Sequence, residues 1–561
     1  MRFHILATDY DGTLAHNERV LKETFKKLEH MKLSNRKLVL VTGRELPDLE
    51  RVFPEYRVFD HIVAENGALL YTPSNGEEEL LGEAPGEAFV KALKEKGVAP
   101  ISVGKVIVAT WEPHENAVLE VIKASGIERQ VIFNKGAVMI LPPGINKATG
   151  LQTLLQQLYL SPHNTVAIGD AENDTAMLQI AECSVAVSNA LPALKETVHL
   201  VTKGDHGKGV SELLDALVDD DLAVVTEKQM RNNIPLGSYN DGSMFSIQPY
   251  RPGILLTGES GGGKSTFTVA ISESLVKTGY QFCLIDPEGD YLELPGTVII
   301  GNETAVPATE EIAELLRNPK QNVVACIMSI PMEDRSAFFS KLLTVLMQLR
   351  KDYGHPHWLL IDEAHHLAPV GVDTLLFKDL DNFILISQVP DHISPDLLKK
   401  AGTIMVVGEN TEEPVKQFCR ICNIENPEQI PAIQNGEACI YDVDTGNTPY
   451  VIKYNPPQQL QQRHKRKYAL GDMGDNSFIF SGSENKLNLK ANNLSMFVHI
   501  AEGVDDDTWN YHLQKKEYTK WFKEALHDDD LAAISKEAEK KKNAADSKKL
   551  ILDFITKKYM A

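Results

Sequence analysis

The sequence predicts an α/β protein: two successive modules, each built on a parallel sheet, then a smaller and mostly helical C-terminal segment. Three observations carry that expectation. Apolar runs of strand length alternate with longer amphipathic stretches, as strand–helix–strand crossovers require. The runs form two series. FHILAT, KLVLVTG, HIVAEN and TVAIGD lie within the first 170 residues, and GILLTG, FCLIDP, NVVACIMSI, HWLLIDE, NFILISQ and TIMVVG lie beyond residue 230. The strand ends of the two series also carry different chemistry, paired carboxylates in the first and a glycine-rich loop in the second.

Length and charge bound the rest. A chain of 561 residues is too long for one ordinary domain. With 57 basic against 78 acidic residues the net charge is −21, which argues against broad clamping of duplex nucleic acid or of an anionic membrane. A hydrophobic content of 43% is that of a core-forming protein. No apolar run approaches the ~18 residues that span a bilayer. Six cysteines in a chain of this size do not make a disulfide framework. The N-terminus, MRFHILATDYDG, reads as a strand running into an acidic loop rather than a cleavable signal, so a cytoplasmic location is expected.

In the first series, FHILAT delivers Asp9-Tyr10-Asp11-Gly12-Thr13. Two carboxylates one residue apart at a strand end can share a divalent cation and still do different work. One attacks phosphorus; the other protonates the leaving oxygen and later activates water. Thr42, Gly43 and Arg44 follow the strand KLVLV, where a hydroxyl and backbone N–H groups can hold a phosphoryl oxygen. Lys147 opens a helix, a place from which an amine neutralises developing negative charge. TVAIGD ends in Asp170, with Asn173 and Asp174 close behind, and these oxygen donors suit a hard cation.

Together these motifs resemble the haloacid dehalogenase superfamily, specifically its small-molecule phosphatases with a C2-type cap, over about residues 1–220. The resemblance implies a Rossmann-like core (1–72 and 142–222) with an inserted α+β cap (73–141). It also implies that Asp9 forms an aspartyl-phosphate, that Asp11 is the acid/base, and that Thr42 and Lys147 grip the phosphate. Mg²⁺ would be held by Asp9, the backbone carbonyl of Asp11 and Asp170, with Asn173 and Asp174 in support. Asn66 and Gly67 in AENGA match a loop that lies near the active site of such enzymes. A cap of this size implies a small phosphorylated metabolite, a sugar phosphate or a phosphoglycolate-like compound, rather than a protein substrate. Lys105 and His114 in the cap are expected to face solvent.

In the second series, GILLTG leads into Gly258-Glu259-Ser260-Gly261-Gly262-Gly263-Lys264-Ser265-Thr266 and then a helix. This is the phosphate-cradle pattern with its required strand before and helix after. Gly258, Gly261 and Gly263 let the backbone wrap a β-phosphate, Lys264 reaches the β/γ oxygens, Ser265 binds Mg²⁺, and Thr266 completes the nucleotide-binding loop. HWLLIDEAHHL brings Asp362 to the Mg²⁺ water shell and Glu363 to the attacking water. The letters Asp-Glu-Ala-His are shared with a group of helicases, but a second helicase lobe is not apparent.

Residues 228–455 instead resemble the HerA-type branch of the FtsK-like ATPases. The resemblance rests on the cradle, on the run from Leu284 to Tyr291 (LIDPEGDY), on Asp362 and Glu363, and on Ile386-Ser387-Gln388. It implies a RecA-like P-loop domain that hydrolyses ATP, with Gln388 sensing the γ-phosphate. It further implies a homo-oligomer, up to a hexameric ring, whose sites are completed by an arginine from the neighbouring subunit; Arg335, Arg350 and Arg420 are candidates.

Other features read more plainly. RHKRK at 463–467 is a solvated connector, and nucleic acid is a conceivable partner that the charge does not indicate. Cys419 and Cys422 have metal-like spacing but no second pair. His365 and His366 pack around the Asp362–Glu363 site. Trp509, Tyr511, Tyr518, Trp521 and Phe522 form the core of a small helical module over 468–561, in which Ile534 to Leu550 is an exposed helix. The acidic runs at 219–221, 505–507 and 528–530 are cap or loop charges. The whole reads as a Mg²⁺-dependent phosphatase fused to an ATP-hydrolysing module. The rival is a DNA-processing or DNA-translocating ATPase whose first module trims phosphate from nucleotides or nucleic-acid ends.

Overall fold

The strand Ile5–Asp9, buried along its whole length, sits in the middle of an eight-stranded sheet. It pairs in parallel with Thr165–Gly169 on one side and Lys37–Val41 on the other. Such strands are apolar at nearly every position because helices cover both faces of a parallel sheet. Cys183–Ala186 and Leu200–Val201 extend the sheet on one side, His61–Ala64 on the other. The antiparallel strands Leu69–Thr72 and Glu77–Leu80 then close that edge. The structure is a computed structural model that describes residues 1–223, 232–372, 374–443, 446, 448–457, 473, 477–483, 486–526, 528–541 and 543–560. The basic run 463–467 and most of the splice between the modules lie outside the described residues.

The strand Glu77–Leu80, expected in the cap, therefore belongs to the core sheet. The cap proper is a four-stranded antiparallel sheet in the order Gln130–Asn134, Ala137–Leu141, Val108–Trp111, Ser102–Val103. Alternation along Ala137–Leu141 decides its two faces. Val138 and Ile140 pack with Phe89 and Leu93 of helix Glu87–Glu95 and Val118 and Val121 of helix Glu115–Ser125, whereas Met139 and Leu141 pack toward Ala68, Val106 and Ile145.

The second lobe is an eleven-stranded sheet. Seven parallel strands run in the order Ala401–Val407, Gly253–Gly258, Phe383–Ser387, Trp358–Ile361, Phe282–Asp286, Asn322–Cys326, Thr297–Ile300. Glu437–Asp442, Tyr450–Tyr454 and the hairpin Ile234–Tyr239/Met244–Ile247 continue it antiparallel.

Met1–Pro456 form one unit, and within it the two sheets meet at the amino ends of their strands. Asn164, fully buried just before Thr165–Gly169, donates to the carbonyls of Arg2 (2.9 Å) and Gly354 (3.1 Å) and to the Tyr250 hydroxyl (3.3 Å), and its Oδ1 lies 3.2 Å from His357 Nε2. Gln281 N donates to His357 Nδ1 at 2.9 Å, so Nε2 carries the proton and donates to Asn164. Glu182 accepts from Arg2 (2.9 Å) and the Tyr280 hydroxyl (3.0 Å) and pairs with His163 Nδ1 (2.8 Å). Burial pushes the Glu182 carboxyl up, but His163, Arg2 and Tyr280 hold it below its ordinary value. The carboxyl ends of the strands in each lobe thus point away from the junction.

Pro457–Ala561 form the other unit. It contains the hairpin Phe478–Phe480/Leu489–Ala491 and helices Leu494–Gly503, Asp506–Gln514, Glu517–Glu524, Asp529–Ala538 and Ala544–Ile555. The single exposed helix expected over Ile534 to Leu550 is two helices instead, both packed through Ala538, Ala544, Ile551 and Ile555. Trp509, Tyr518, Trp521 and Phe522 are buried; Trp509 stacks on Tyr518 at 4.4 Å and donates to Ser547 Oγ at 2.9 Å. Among the described residues no helix is long and apolar enough to cross a membrane.

Candidate functional site

Asp9 is the last residue of the central strand, and Lys147 is the first of helix Lys147–Gln157, which Asn146 caps by accepting from Ala148 N and Thr149 N. This start puts the Lys147 amine, 1% exposed, 2.5 Å from Asp9 Oδ1 and 2.7 Å from Asp174 Oδ1. Asp174 is held in place by accepting from Asp170 N (2.9 Å) and Ala171 N (3.0 Å). Asp9, Asp170 and Asp174 are all buried and offer carboxylate oxygens within 4.8 Å of one another. Burial and the neighbouring Asp174 raise the Asp9 carboxyl to about 8 against the pull of Lys147. Burial likewise raises Asp170, opposed by Lys135. Burial alone would lower the Lys147 amine; Asp174 and Asp9 raise it instead, so it stays charged. Three crowded acids, two of them sharing the Lys147 amine, form an oxygen donor set that fits a hard divalent cation.

Gly12 closes the acidic loop at φ +91°, and a Cβ there would lie 2.3 Å from Asp170 Oδ2. Thr13 Oγ1 donates to Asp170 at 3.3 Å. Thr42, fully buried, receives Arg44 N at its hydroxyl (3.1 Å), and its backbone N–H and C=O bond Val63 and Asn66. Gly43 follows it under the Met139 sulfur of the cap. Asn173 donates to Asn66 Oδ1 at 3.1 Å and so ties the loop after Asp170 to the AENGA loop.

Sequence reasoning missed three partners of this cluster. Arg44 grips Asp11 with two parallel bonds, Nε to Oδ2 and Nη2 to Oδ1, each 2.7 Å, which fixes the orientation of that carboxylate. Lys135, from the cap, reaches Asp170 Oδ2 at 2.6 Å. Glu65, 1% exposed and at φ +51°, accepts from the backbone N–H groups of Lys105, Val106 and Ile107 at 2.8–2.9 Å and so seats the cap. Only Arg44 had a local signal, its place directly after Thr42-Gly43; the other two depend on the insertion folding back. Lys105 pairs with Glu78, and His114 bonds the Ala99 carbonyl at 2.9 Å.

In the second lobe the loop from Gly258 to Gly263 joins strand Gly253–Gly258 to helix Lys264–Thr278. Gly258 has φ +147°, and a Cβ there would lie 2.0 Å from the Val407 carbonyl; Gly261 and Gly263 also have positive φ. Loop N–H groups at a helix start favour an anion. The Lys264 amine donates to the carbonyls of Gly258 and Glu259, both at 2.9 Å, and folds back over the loop. Ser265 Oγ is buried without a hydrogen-bond partner, and Thr266 is exposed on the same turn. Asp362 and Glu363 follow strand Trp358–Ile361, and Gln388 Nε2, one strand over, is 3.5 Å from Glu363 Oε1. His365 Nδ1 lies 3.0 Å from Ser387 Oγ and 3.4 Å from Glu363 Oε2; burial, then His366, His392 and Lys264, lower it to about 4.

Asp286 accepts from the N–H groups of Glu288, Gly289, Asp290 and Tyr291 at 2.8–3.2 Å, which winds the DPEGDY loop around one carboxylate. Arg335 donates to the Pro287 and Ile330 carbonyls. Arg350 is an internal strut rather than a finger for a neighbouring subunit: it donates to the carbonyls of Pro356, Asp381, His357 and Asn382. Arg420 is exposed, 3.8 Å from Glu413. Cys419 is buried, and Cys419 and Cys422 are both free thiols on helix Glu412–Cys422.

The family model of haloacid dehalogenase-like hydrolases matches residues 6–103 and 94–214. A phosphoglycolate phosphatase of Methanothermobacter thermautotrophicus is 30% identical over 216 residues, 37% of this chain and 95% of that protein. Phosphoglycolate phosphatase 2 of Saccharolobus solfataricus is 30% identical over 225 residues, 38% of this chain and 92% of that protein. A phosphoglycolate phosphatase of Halorubrum lacusprofundi is 30% identical over 220 residues, 37% of this chain and 95% of that protein. The matched span contains Thr42 and the cluster of Asp9, Lys147, Asp170 and Asp174 at the ends of the central strands, and through it the chain belongs to the haloacid dehalogenase-like hydrolases.

Proposed function

We propose that the first module is a Mg²⁺-dependent phosphatase working through an aspartyl-phosphate on a small phosphorylated metabolite, and that residues 228–455 bind and hydrolyse ATP. The observation that carries the first reading is the Lys147 amine set between Asp9 and Asp174 at the strand ends, with Asp170 in the same cluster. An Asp9 oxygen forms a bond to phosphorus as the ester P–O bond breaks, and Asp11 supplies the proton that the leaving oxygen takes. Asp11 then accepts a proton from the water that attacks the aspartyl-phosphate, which releases inorganic phosphate and restores Asp9. Thr42 and Lys147 hold phosphoryl oxygens through both displacements. Asp9, Asp170 and Asp174, with the Asp11 carbonyl, would hold Mg²⁺, which would supply positive charge to offset that of the phosphoryl group. The relatives' names support a short phosphorylated acid as substrate, with a sugar phosphate next in line.

The second reading is supported by the folded-back Lys264, by the buried, unpartnered Ser265 Oγ at the position where a nucleotide's Mg²⁺ needs an oxygen, and by Gln388, Asp362 and Glu363 at the ends of the next two strands of the same sheet. Arg420, exposed, is the arginine of the three that assembly into a ring would offer to a neighbour's site. A panel of phosphorylated metabolites, run on wild type, Asp9→Asn and Lys264→Ala with and without ATP, tests both. Asp9→Asn should abolish phosphate-ester hydrolysis and leave ATP hydrolysis; Lys264→Ala should do the reverse. Loss of both activities in either folded variant would refute the two-site division.

A further inference from the structure

The hairpin Gln130–Asn134/Ala137–Leu141 turns through Lys135 and Gly136, both at positive φ (+48° and +85°), the geometry of a tight two-residue loop. That turn is aimed at the core rather than at solvent. The Lys135 amine lies 2.6 Å from Asp170 Oδ2 and over Gly12, where a Cβ would come within 2.5 Å of it. The other paired cap lysines are spent elsewhere: Lys91 on Glu95, Lys96 on Glu120, Lys105 on Glu78. Among the described cap residues, Lys135 is thus the cation that an ion pair brings to the acids of the core site. Its side chain is 47% exposed, while Asp170 is buried, so Lys135 stands at the rim of the site, between the buried acids and solvent.

Lys147 already serves the reacting centre. A second amine, one carboxylate removed from Asp9 and delivered by the insertion, has no task in moving the phosphoryl group. When a divalent cation takes up the Asp170 charge, the Lys135 amine is left facing whatever the substrate carries beyond its phosphate. Resting on the phosphatase reading above, we infer that Lys135 is a specificity-determining residue. It selects phosphate monoesters that bear a second anionic group, a carboxylate, only a few atoms from phosphorus. A charge-assisted bond of an amine to a carboxylate supports roughly tenfold or greater discrimination.

The test compares kcat/KM for phosphoglycolate with that for a neutral ester, ethyl phosphate, in wild type, Lys135→Met and Lys135→Glu. Calorimetric binding of phosphonoacetate against methylphosphonate, in the presence of Mg²⁺, reads the same preference without turnover. Wild type should favour the carboxylate-bearing member of each pair by roughly tenfold or more. Lys135→Met should bring both ratios near one, and Lys135→Glu should shift preference toward aminomethylphosphonate. Ratios that do not move in either variant, whatever the absolute rates, make Lys135 a cap latch only and overturn the inference. If wild type neither hydrolyses any ester nor binds any phosphonate, the phosphatase reading itself falls, and this inference falls with it.

Discussion

Replacing Lys147 by Met separates what the amine does for the fold from what it does for chemistry. Lys147 is 1% exposed and lies 2.5 Å and 2.7 Å from two buried carboxylates. Removing one member of a buried charged cluster leaves the others uncompensated and costs about 3–5 kcal/mol. Asp9, already raised to about 8 by burial and by Asp174, loses its main compensating charge. In EDTA the urea midpoint of Lys147→Met should therefore fall well below that of wild type. Mg²⁺ bound among Asp9, Asp170 and Asp174 would restore positive charge at the same place, so millimolar Mg²⁺ should recover much of the midpoint. Turnover of a phosphate ester should remain roughly 10²–10³-fold down in Mg²⁺, because the amine assigned above to the phosphoryl oxygens is gone. An equal loss of stability in EDTA and in Mg²⁺ would refute the acid triad as a cation site. Turnover near wild type would refute contact between Lys147 and the phosphoryl group.

Gly12→Ala should abolish ester hydrolysis while sparing ATP hydrolysis, because its Cβ is forced to within 2.3 Å of Asp170 Oδ2 on a backbone at φ +91°; paired rate assays check it. Glu182→Ala removes the buried carboxylate shared by Arg2, His163 and Tyr280 and should destabilise the Met1–Pro456 unit by about 3–5 kcal/mol, read by urea unfolding. Burial, then His163, His355, Arg350 and His4, depress His357 well below the ordinary imidazole value of 6.5, so below that pH the unfolded chain binds a proton that the folded chain does not. Stability should then fall with pH at a slope approaching about 1.4 kcal/mol per pH unit from this residue. His4, lowered to about 4 chiefly by burial, adds a similar slope down to that pH. Urea midpoints between about pH 7.5 and 5 measure the total, and His357→Gln should flatten it.

Much of the architecture was legible because the central strands of both sheets are parallel and buried, which writes each of them as an unbroken apolar run. Ile5–Asp9, Thr165–Gly169 and Gly253–Gly258 all stand where those runs placed them. The acidic runs at 505 and 528 also behave as read: Asp505 and Asp528 cap helices through Thr508 N and Leu531 N. The strand Glu77–Leu80 was not legible, since EEEL has no apolar side to mark it and only its pairing with Leu69–Thr72 gives it to the core. Arg350 also misled: a charged residue near the end of a long helix looks exposed in sequence, yet four carbonyls from two separate loops converge on it.

By itself the sequence determined the candidates for phosphoryl chemistry, because that chemistry needs particular side chains at strand ends and helix starts, and those are local. Tertiary structure alone decided which long-range partners meet them. Lys135 is 35 positions from Asp170 and Arg44 is 33 from Asp11. Glu182 finds Tyr280 across 98 residues at the amino ends of two sheets. No periodicity records such pairings. They exist because burying a charge is costly until a complementary group from elsewhere in the chain arrives beside it.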